Sequence, residues 1–157
     1  MRYVALLRGI GPTNPNMRGE KLAGLFNKLG FKNVRTVIAS GNVVFDSGSK
    51  NTSVLEKKIE QALPKELGFS SMTVIRGREE LEALVKSNPF KGVKDERPNY
   101  LLVTFFKDRR AELCTVVDIS ADKTPQFMAK LERQHGKALT SRTWKTVHRI
   151  LKKMSEV

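Results

Sequence analysis

In the first 76 residues, short apolar runs alternate with segments whose apolar residues recur at helical spacing, and glycine and proline separate them. This order restricts the fold more than any other feature of the sequence. Short apolar runs bounded by turn residues predict buried strands, and apolar residues spaced three or four apart predict helices. Gly30 suits the position beyond a helix end, and Ser53 with Glu56 forms a capping-box pattern. The predicted elements are strand 2–8, helix 22–29, strands 34–38 and 43–46 around a turn at 40–42, helix 55–63 ended or kinked by Pro64, and strand 72–75.

This order is β-α-β-β-α-β, the ferredoxin-like plan in which two helices cover one face of an antiparallel sheet. The rest of the chain is less regular, and its helices are predicted from caps, prolines and glycines as well as from periodicity. The remaining predicted elements are helix 79–87, strand 100–106, strand 114–119, a helix opened by Thr124 and Pro125 and closed by Gly136, and a last helix capped by Thr140 or Ser141.

We therefore predict an α+β fold with two parts in one compact unit. Residues 1–88 form the ferredoxin-like subdomain. Residues 89–157 form a smaller, truncated and related α/β subdomain with two C-terminal helices, the last of them basic. The charged loop from 88 to 99 is the natural boundary, because it is longer than a typical connection between elements and is bounded by prolines.

The chain has 29 Lys and Arg against 16 Asp and Glu, a formal net charge of +13, which favours polyanionic or phosphate-bearing partners. Residues 1–50 carry 8 basic and 2 acidic side chains, and residues 123–157 carry 9 and 2. Residues 51–96 and 97–122 are each balanced. If the fold brings the two basic segments together, the protein has one basic face.

The sequence contains no recognisable catalytic or metal-binding pattern. Cys114 is the single cysteine, and neither His135 nor His148 stands at a recognisable spacing from it. The apolar run 113–119 favours a buried core thiol over a nucleophile. We therefore name no catalytic residue, metal or cofactor. Because neither a signal peptide nor a membrane-spanning stretch of about 20 apolar residues is found, we expect a cytoplasmic protein that does not enter the membrane.

Polar residues at strand ends are the first candidates for binding an anion, since the sheet holds them while their side chains stay free to meet a ligand. Arg8 ends the first strand, where a carboxylate or phosphate partner, internal or bound, is expected. Ser40, Gly41 and Asn42 occupy the turn between the next two strands and could offer amides to an anion. Alternatively, Ser40 and Asn42 only satisfy their own turn.

The predicted last helix is the second candidate surface. Its basic residues recur at i, i+3, i+7 and i+10, beside an apolar stripe that includes Trp144. No acidic residue is interspersed among them, as it is on ordinary exposed helices. The stripe is either an anion-binding face or a solvated helix surface, and Trp144 is expected in the core. The four basic residues are Arg142, Lys145, Arg149 and Lys152.

Five blocks, spread from one end of the chain to the other, carry a family resemblance. They are MRYVALLRGI at 1–10, KLGF at 28–31 with VRT at 34–36, SGNVVF at 40–45, NPF at 88–90 and TSRTWKTV at 140–147. In these blocks the chain resembles the bacterial and archaeal family called domain of unknown function 1697. The resemblance implies an α/β protein of two ferredoxin-like-related subdomains, with no established activity.

The chain departs from the family pattern in three places. The loop 11–16 contains two prolines where family members usually have glycine and lysine. The block 140–144 keeps Arg142 and Trp144 but lacks the usual asparagine between them. The stretch between 106 and 124 is shorter than in the family, so the second subdomain is expected to lack part of its helix and sheet.

Three hypotheses about function follow. The first is a non-enzymatic module that binds a polyanion, nucleic acid in particular, through the basic stripe together with Arg8, Arg18, Lys21 and Lys32. The alternative is a small-ligand binding protein or enzyme, in which Arg8, the turn 40–42 and Arg142 converge on one phosphate or carboxylate. In the third, the basic face docks an acidic protein partner.

Overall fold

The computed structural model describes residues 1–8, 19–38, 41–118, 120 and 124–156. Within these residues the elements are, in chain order, β1 (Arg2–Leu7), α1 (Gly19–Lys28), β2 (Lys32–Thr36), β3 (Asn42–Asp46), α2 (Thr52–Leu67), β4 (Thr73–Gly77), α3 (Arg78–Lys86), β5 (Asn99–Phe106), β6 (Leu113–Asp118), α4 (Thr124–His135), β7 (Leu139–Thr143) and α5 (Trp144–Ser155). The predicted α+β class is confirmed. No helix in this described part of the chain is long and apolar enough to span a membrane.

The first sheet has the strand order β2-β3-β1-β4, and every neighbouring pair is antiparallel. Its central strand β1 is buried on both faces, because successive side chains point to opposite sides of a strand. Tyr3, Ala5 and Leu7 pack in a core with residues of α1 and α2. Val4 and Leu6 belong to a different core on the opposite face. This double burial explains why β1 is a continuous apolar run.

The second sheet has the strand order β6-β5-β7, also antiparallel. Helix α5 contacts β1 and β3 of the first sheet and β5 and β7 of the second. Its buried residues Val147, Ile150 and Met154 recur at helical spacing and pack with Val4, Leu6 and residues of the second sheet. We call this the shared core. Helix α5 therefore lies where the two sheets meet, on the side of the first sheet away from α1 and α2.

The start of the last helix differs from the prediction. Thr140 and Ser141 do not cap α5, because they lie in β7, a strand that the sequence analysis missed. The cap is Thr143, whose hydroxyl oxygen accepts a 3.2 Å hydrogen bond from the amide of Thr146. Pairing with β5 keeps this segment extended, and the hydroxyls of Thr104 and Ser141 lie 2.7 Å apart across the pair.

The predicted capping box of the second helix was also wrong. Helix α2 is capped by Asn51, whose side chain accepts from the amide of Val54, and Pro64 lies inside the helix. Glu56 is instead buried against β4, the edge strand of the first sheet. Carboxylates cover the edge of β4 that pairs with no other strand of the described residues. Glu60 accepts from the amide of Thr73, Glu56 from Ile75 and Glu80 from Gly77. Such side-chain cover keeps an edge strand from pairing with another chain.

Candidate functional site

Arg142 lies in β7 and not on α5, which corrects its assignment to the helical stripe. Its side chain reaches from the second sheet to the end of β1 and the start of β3. It donates to Asn42 Oδ1 at 2.6 Å, Thr140 Oγ1 at 2.7 Å, the carbonyl of Ser141 at 2.9 Å, the carbonyl of Leu7 at 2.8 Å and the carbonyl of Gly41 at 3.1 Å. A guanidinium has five N–H donors, so these bonds use all of them.

The charge of Arg142 is not neutralised by its hydrogen-bond partners, all of which are uncharged oxygens. No carboxylate of the described residues forms an ion pair with it within 4.0 Å. Burial lowers the pKa of Arg142 to about 10, so the side chain stays protonated at neutral pH. Arg142 therefore both clamps the two sheets together and leaves a positive charge at their junction.

Arg8 has an internal partner, one of the two outcomes that its position at a strand end predicted. Its guanidinium forms an ion pair with Glu132 of α4 and donates to the carbonyl of Lys137. Its backbone amide donates to Ser71 and Met72. The charge of Arg8 is thus already balanced within the protein.

Gly41 and Asn42 lie where the turn before β3 meets the junction of the two sheets, and each has a structural role there. Gly41 has φ +74°, and a Cβ there would come within 3.1 Å of the carbonyl oxygen of Leu7, so the position requires glycine. Asn42 is buried, and its side-chain amide donates to the carbonyl of Val37 at 3.1 Å. That bond lies within its own turn, whereas its side-chain oxygen accepts from Arg142 of the second sheet. Ser40, the third candidate of this turn, lies outside the described residues.

A pocket of about 470 Å³ opens at the junction of the two sheets. It brings together Arg8, Gly41, Asn42 and Arg142, the candidates that the small-ligand hypothesis required to converge. The N-terminal end of α5 also borders it, through Thr143 and Thr146. Its further lining residues are Leu7, Ile38, Tyr100, Leu102, Met128, Leu139, Thr140 and Ser141. We call it the junction pocket.

The other three residues of the predicted stripe, Lys145, Arg149 and Lys152, are exposed on α5. Among the described residues, none of them has a carboxylate within ion-pairing distance of 4.0 Å. We call these three residues the α5 basic face. A groove of about 410 Å³ runs beside it, lined by Thr36, Val37, Ile38, Arg149, Lys152, Lys153 and Glu156. We call it the basic groove.

The polyanion hypothesis also assigned Arg18, Lys21 and Lys32 to the binding surface. The structure does not place all of them beside the α5 basic face. Arg18 lies outside the described residues. Lys21 lies on α1, which packs on the opposite side of the first sheet from α5. Lys32 is exposed on the edge strand β2. The structure therefore does not gather the whole charge surplus on one side.

Ile38 is a feature of this surface that sequence reasoning missed. The residue is 47% exposed, and its φ of +58° lies in the left-handed region that β-branched residues rarely adopt. It lines both the junction pocket and the basic groove. The local sequence gives no signal for this conformation, because isoleucine at 38 only continues the apolar run of a predicted strand.

The remaining residues with reactive or aromatic side chains that the sequence singled out pack against their neighbours. Cys114 is half-buried in β6, and burial together with the charge of Glu112 raises the pKa of its thiol. His135 packs on Phe106, with 5.4 Å between ring centroids. Trp144 packs edge-on against both Phe90 and His148, at the border of the shared core. In the described parts of the chain, no three His, Cys, Asp or Glu residues are grouped as metal ligands.

Two comparisons with known proteins found a match, one to a family and one to a solved structure. The model of the family described as protein of unknown function, DUF1697, matches residues 1–134. A solved structure, that of conserved bacterial protein SP0830 from Streptococcus pneumoniae, is similar with a TM-score of 0.76 over 99% of this chain and 98% of that chain. At 19% identity this likeness shows the fold alone. No curated protein matches the chain.

Proposed function

This chain belongs to the family called domain of unknown function 1697, and we propose that it is a non-enzymatic binding module for a polyanion, nucleic acid in particular. The observation that carries the proposal is the α5 basic face. Exposed cations without carboxylate partners keep their full attraction for phosphate, whereas Arg8 is neutralised by Glu132. The basic groove beside the face offers a path for a strand of phosphates.

The expected mode of binding is electrostatic and therefore sensitive to salt. Neutralising about three phosphates of a single strand releases condensed counterions, which gives a slope near −2 for log K against log salt. Raising the salt from about 50 to about 200 mM should weaken binding about twentyfold. Arg142, which forms no ion pair with a described residue, lines the junction pocket, which shares Ile38 with the groove, and adds to the positive potential there.

Fluorescence anisotropy of labelled oligonucleotides over a salt series tests this proposal. The test variant replaces Lys145, Arg149 and Lys152 by serine, and should lose most of the affinity and most of the salt slope. The matched control removes three exposed lysines of another surface: Lys50, Lys57 and Lys65. Equal loss in both variants, or an affinity independent of salt in the wild type, would contradict the proposal.

A second candidate function is suggested by the junction pocket, whose volume of about 470 Å³ is in the range of small-ligand sites. The uncompensated charge of Arg142 and the N-terminal end of α5 both favour an anion there. The hydroxyls of Thr143 and Thr146 and apolar residues line the same space. The ligand would be a small phosphate or carboxylate with an apolar body.

Thermal-shift screening with nucleotides and carboxylates tests the second candidate. A bound compound should raise the Tm of the wild type, and should raise the Tm of Thr146→Val less, because that variant keeps its shape but loses a hydroxyl in the pocket. If no compound raises the Tm, or if the shift is the same in both proteins, the pocket does not hold such a ligand.

A further inference from the structure

We propose that the ligand of this surface is single-stranded nucleic acid and that Ile38 is its apolar contact, packing against an unpaired base while α5 holds the adjacent phosphates. This inference rests on the proposed function, because it names the form of polyanion that the α5 basic face takes. It adds a contact that charge alone does not require.

The conformation of Ile38 is the first observation behind this inference. Its side chain is large and apolar, yet the residue is 47% exposed. Its φ of +58° is strained for a residue with a branched Cβ, whereas glycine or asparagine adopts this conformation at little steric cost. Strained residues persist where the surroundings hold them in place, and they are concentrated at binding sites.

Hydrogen bonds from the sheet junction hold the residue before Ile38 in place. The amide of Val37 donates to the carbonyl of Asn42 at 3.0 Å, and the side chain of Asn42 donates back to the carbonyl of Val37 at 3.1 Å. Arg142 in turn donates to Asn42 Oδ1. Arg142 and Asn42 are therefore positioning residues, which present Ile38 without needing to touch the ligand.

The location of Ile38 is the second observation. It borders the junction pocket on one side and the basic groove on the other, so one ligand can cover both. Along α5, Thr146 lines the pocket, whereas Arg149 and Lys152 line the groove. Six residues of helix span about 9 Å, which is enough for more than one phosphate of an extended strand. An apolar contact therefore lies next to a row of cations.

This combination fits single strands better than duplexes. Nonspecific single-strand binding combines a positively charged groove with aromatic side chains on which bases stack. In our proposal the aliphatic side chain of Ile38 takes the place of the aromatic one. In a duplex those faces are stacked and cannot reach a side chain, so a duplex would use only the cations. A polyanion without bases would likewise bind through charge alone.

The test compares three ligands of about twelve nucleotides, namely a single strand, an abasic strand of equal charge, and a duplex of the same sequence. The wild type should bind the single strand about fivefold more tightly than the abasic strand, the gain expected for partial burial of one aliphatic side chain. Ile38→Gly should remove that difference and leave the affinity for the abasic strand unchanged. Val93→Gly, which truncates an exposed valine of another loop, is the matched control.

Ile38→Gly should fold well, because it relieves the strained backbone, and its Tm should rise by about 2 to 4 °C. The inference is overturned if Ile38→Gly binds the single strand as tightly as the wild type does, or if it loses affinity equally for the single and the abasic strand. Either result leaves the proposal of polyanion binding intact. Absence of salt-dependent binding to all three ligands would overturn the proposed function as well.

Discussion

The Nε atom of Arg142 donates a 2.6 Å hydrogen bond to the side-chain oxygen of Asn42, a residue 100 positions earlier in the chain. The same guanidinium also donates to the carbonyls of Leu7 and Gly41. Three of the blocks on which the family resemblance rests, 1–10, 40–45 and 140–147, therefore meet at one side chain. In this chain the described residues of these blocks that contact Arg142 hold the two sheets together.

Replacing Arg142 should destabilise the protein strongly. Arg142→Met keeps the length of the side chain but leaves several oxygens without donors, at a cost of about 2–4 kcal/mol in the free energy of unfolding. Arg142→Lys keeps the charge and some of the bonds, so its loss should be smaller. Urea denaturation measures both values. The exposed Arg149→Met is the control, with an expected change within about 0.5 kcal/mol, and a similar loss in all three would refute the clamp.

Glu56 should make stability depend on pH in a defined direction. Burial raises the pKa of this carboxyl above its ordinary value of 4.5. The folded state therefore holds the proton more tightly, and this contribution to stability is full below pH 4.5 and is lost as the pH rises through the folded pKa. Glu56→Gln keeps an acceptor for the amide of Ile75 and has no such loss. It should gain stability relative to the wild type between pH 4 and pH 7 in urea titrations.

The companion variant Glu56→Ala separates charge from hydrogen bonding. It leaves the amide of Ile75 without its acceptor, which should cost about 1–3 kcal/mol at both pH values. If Glu56→Gln instead loses stability relative to the wild type as the pH rises, the carboxylate is favourable in its buried position and our assignment of its role is wrong.

The thiol of Cys114 should react slowly with Ellman's reagent. Burial and the nearby charge of Glu112 raise its pKa, so the reactive thiolate is scarce at pH 8. Protein unfolded in urea provides the control, because its thiol has neither of these neighbours. Stopped-flow or manual absorbance traces at equal pH should show faster reaction of the unfolded chain, and equal rates would argue against a sheltered thiol.

Two substitutions of Thr143 should separate the stability of α5 from the anion binding that we propose. Thr143→Ala removes the cap of the helix and should cost about 1 kcal/mol in the free energy of unfolding. Thr143→Asp retains a capping oxygen but brings a negative charge to the rim of the junction pocket. It should keep most of the stability and lower the affinity for anionic ligands, as measured by urea titration and anisotropy. Unchanged affinity in Thr143→Asp would place the ligand away from this end of α5.

Local patterns predicted the parts of this structure that local interactions determine. The order of the first six elements follows from periods of two and of 3.6 along the chain, and so does the α5 basic face, whose residues recur within one helix. Arg142 was misplaced because β7 depends on pairing with β5, about 40 residues earlier. Its five hydrogen bonds include contacts between the sheets, and Ile38 has a positive φ next to a residue bonded to Asn42. No local period records either feature.

The saturation of Arg142 has a thermodynamic consequence for any ligand in the junction pocket. An anion that accepts a hydrogen bond from this guanidinium must take a donor away from Leu7, Gly41, Asn42 or β7. Binding of such an anion and the contact between the two sheets then oppose each other. Each weakens the other by the same coupling free energy. Substitutions that loosen the contact between the sheets would therefore tighten the binding of such an anion.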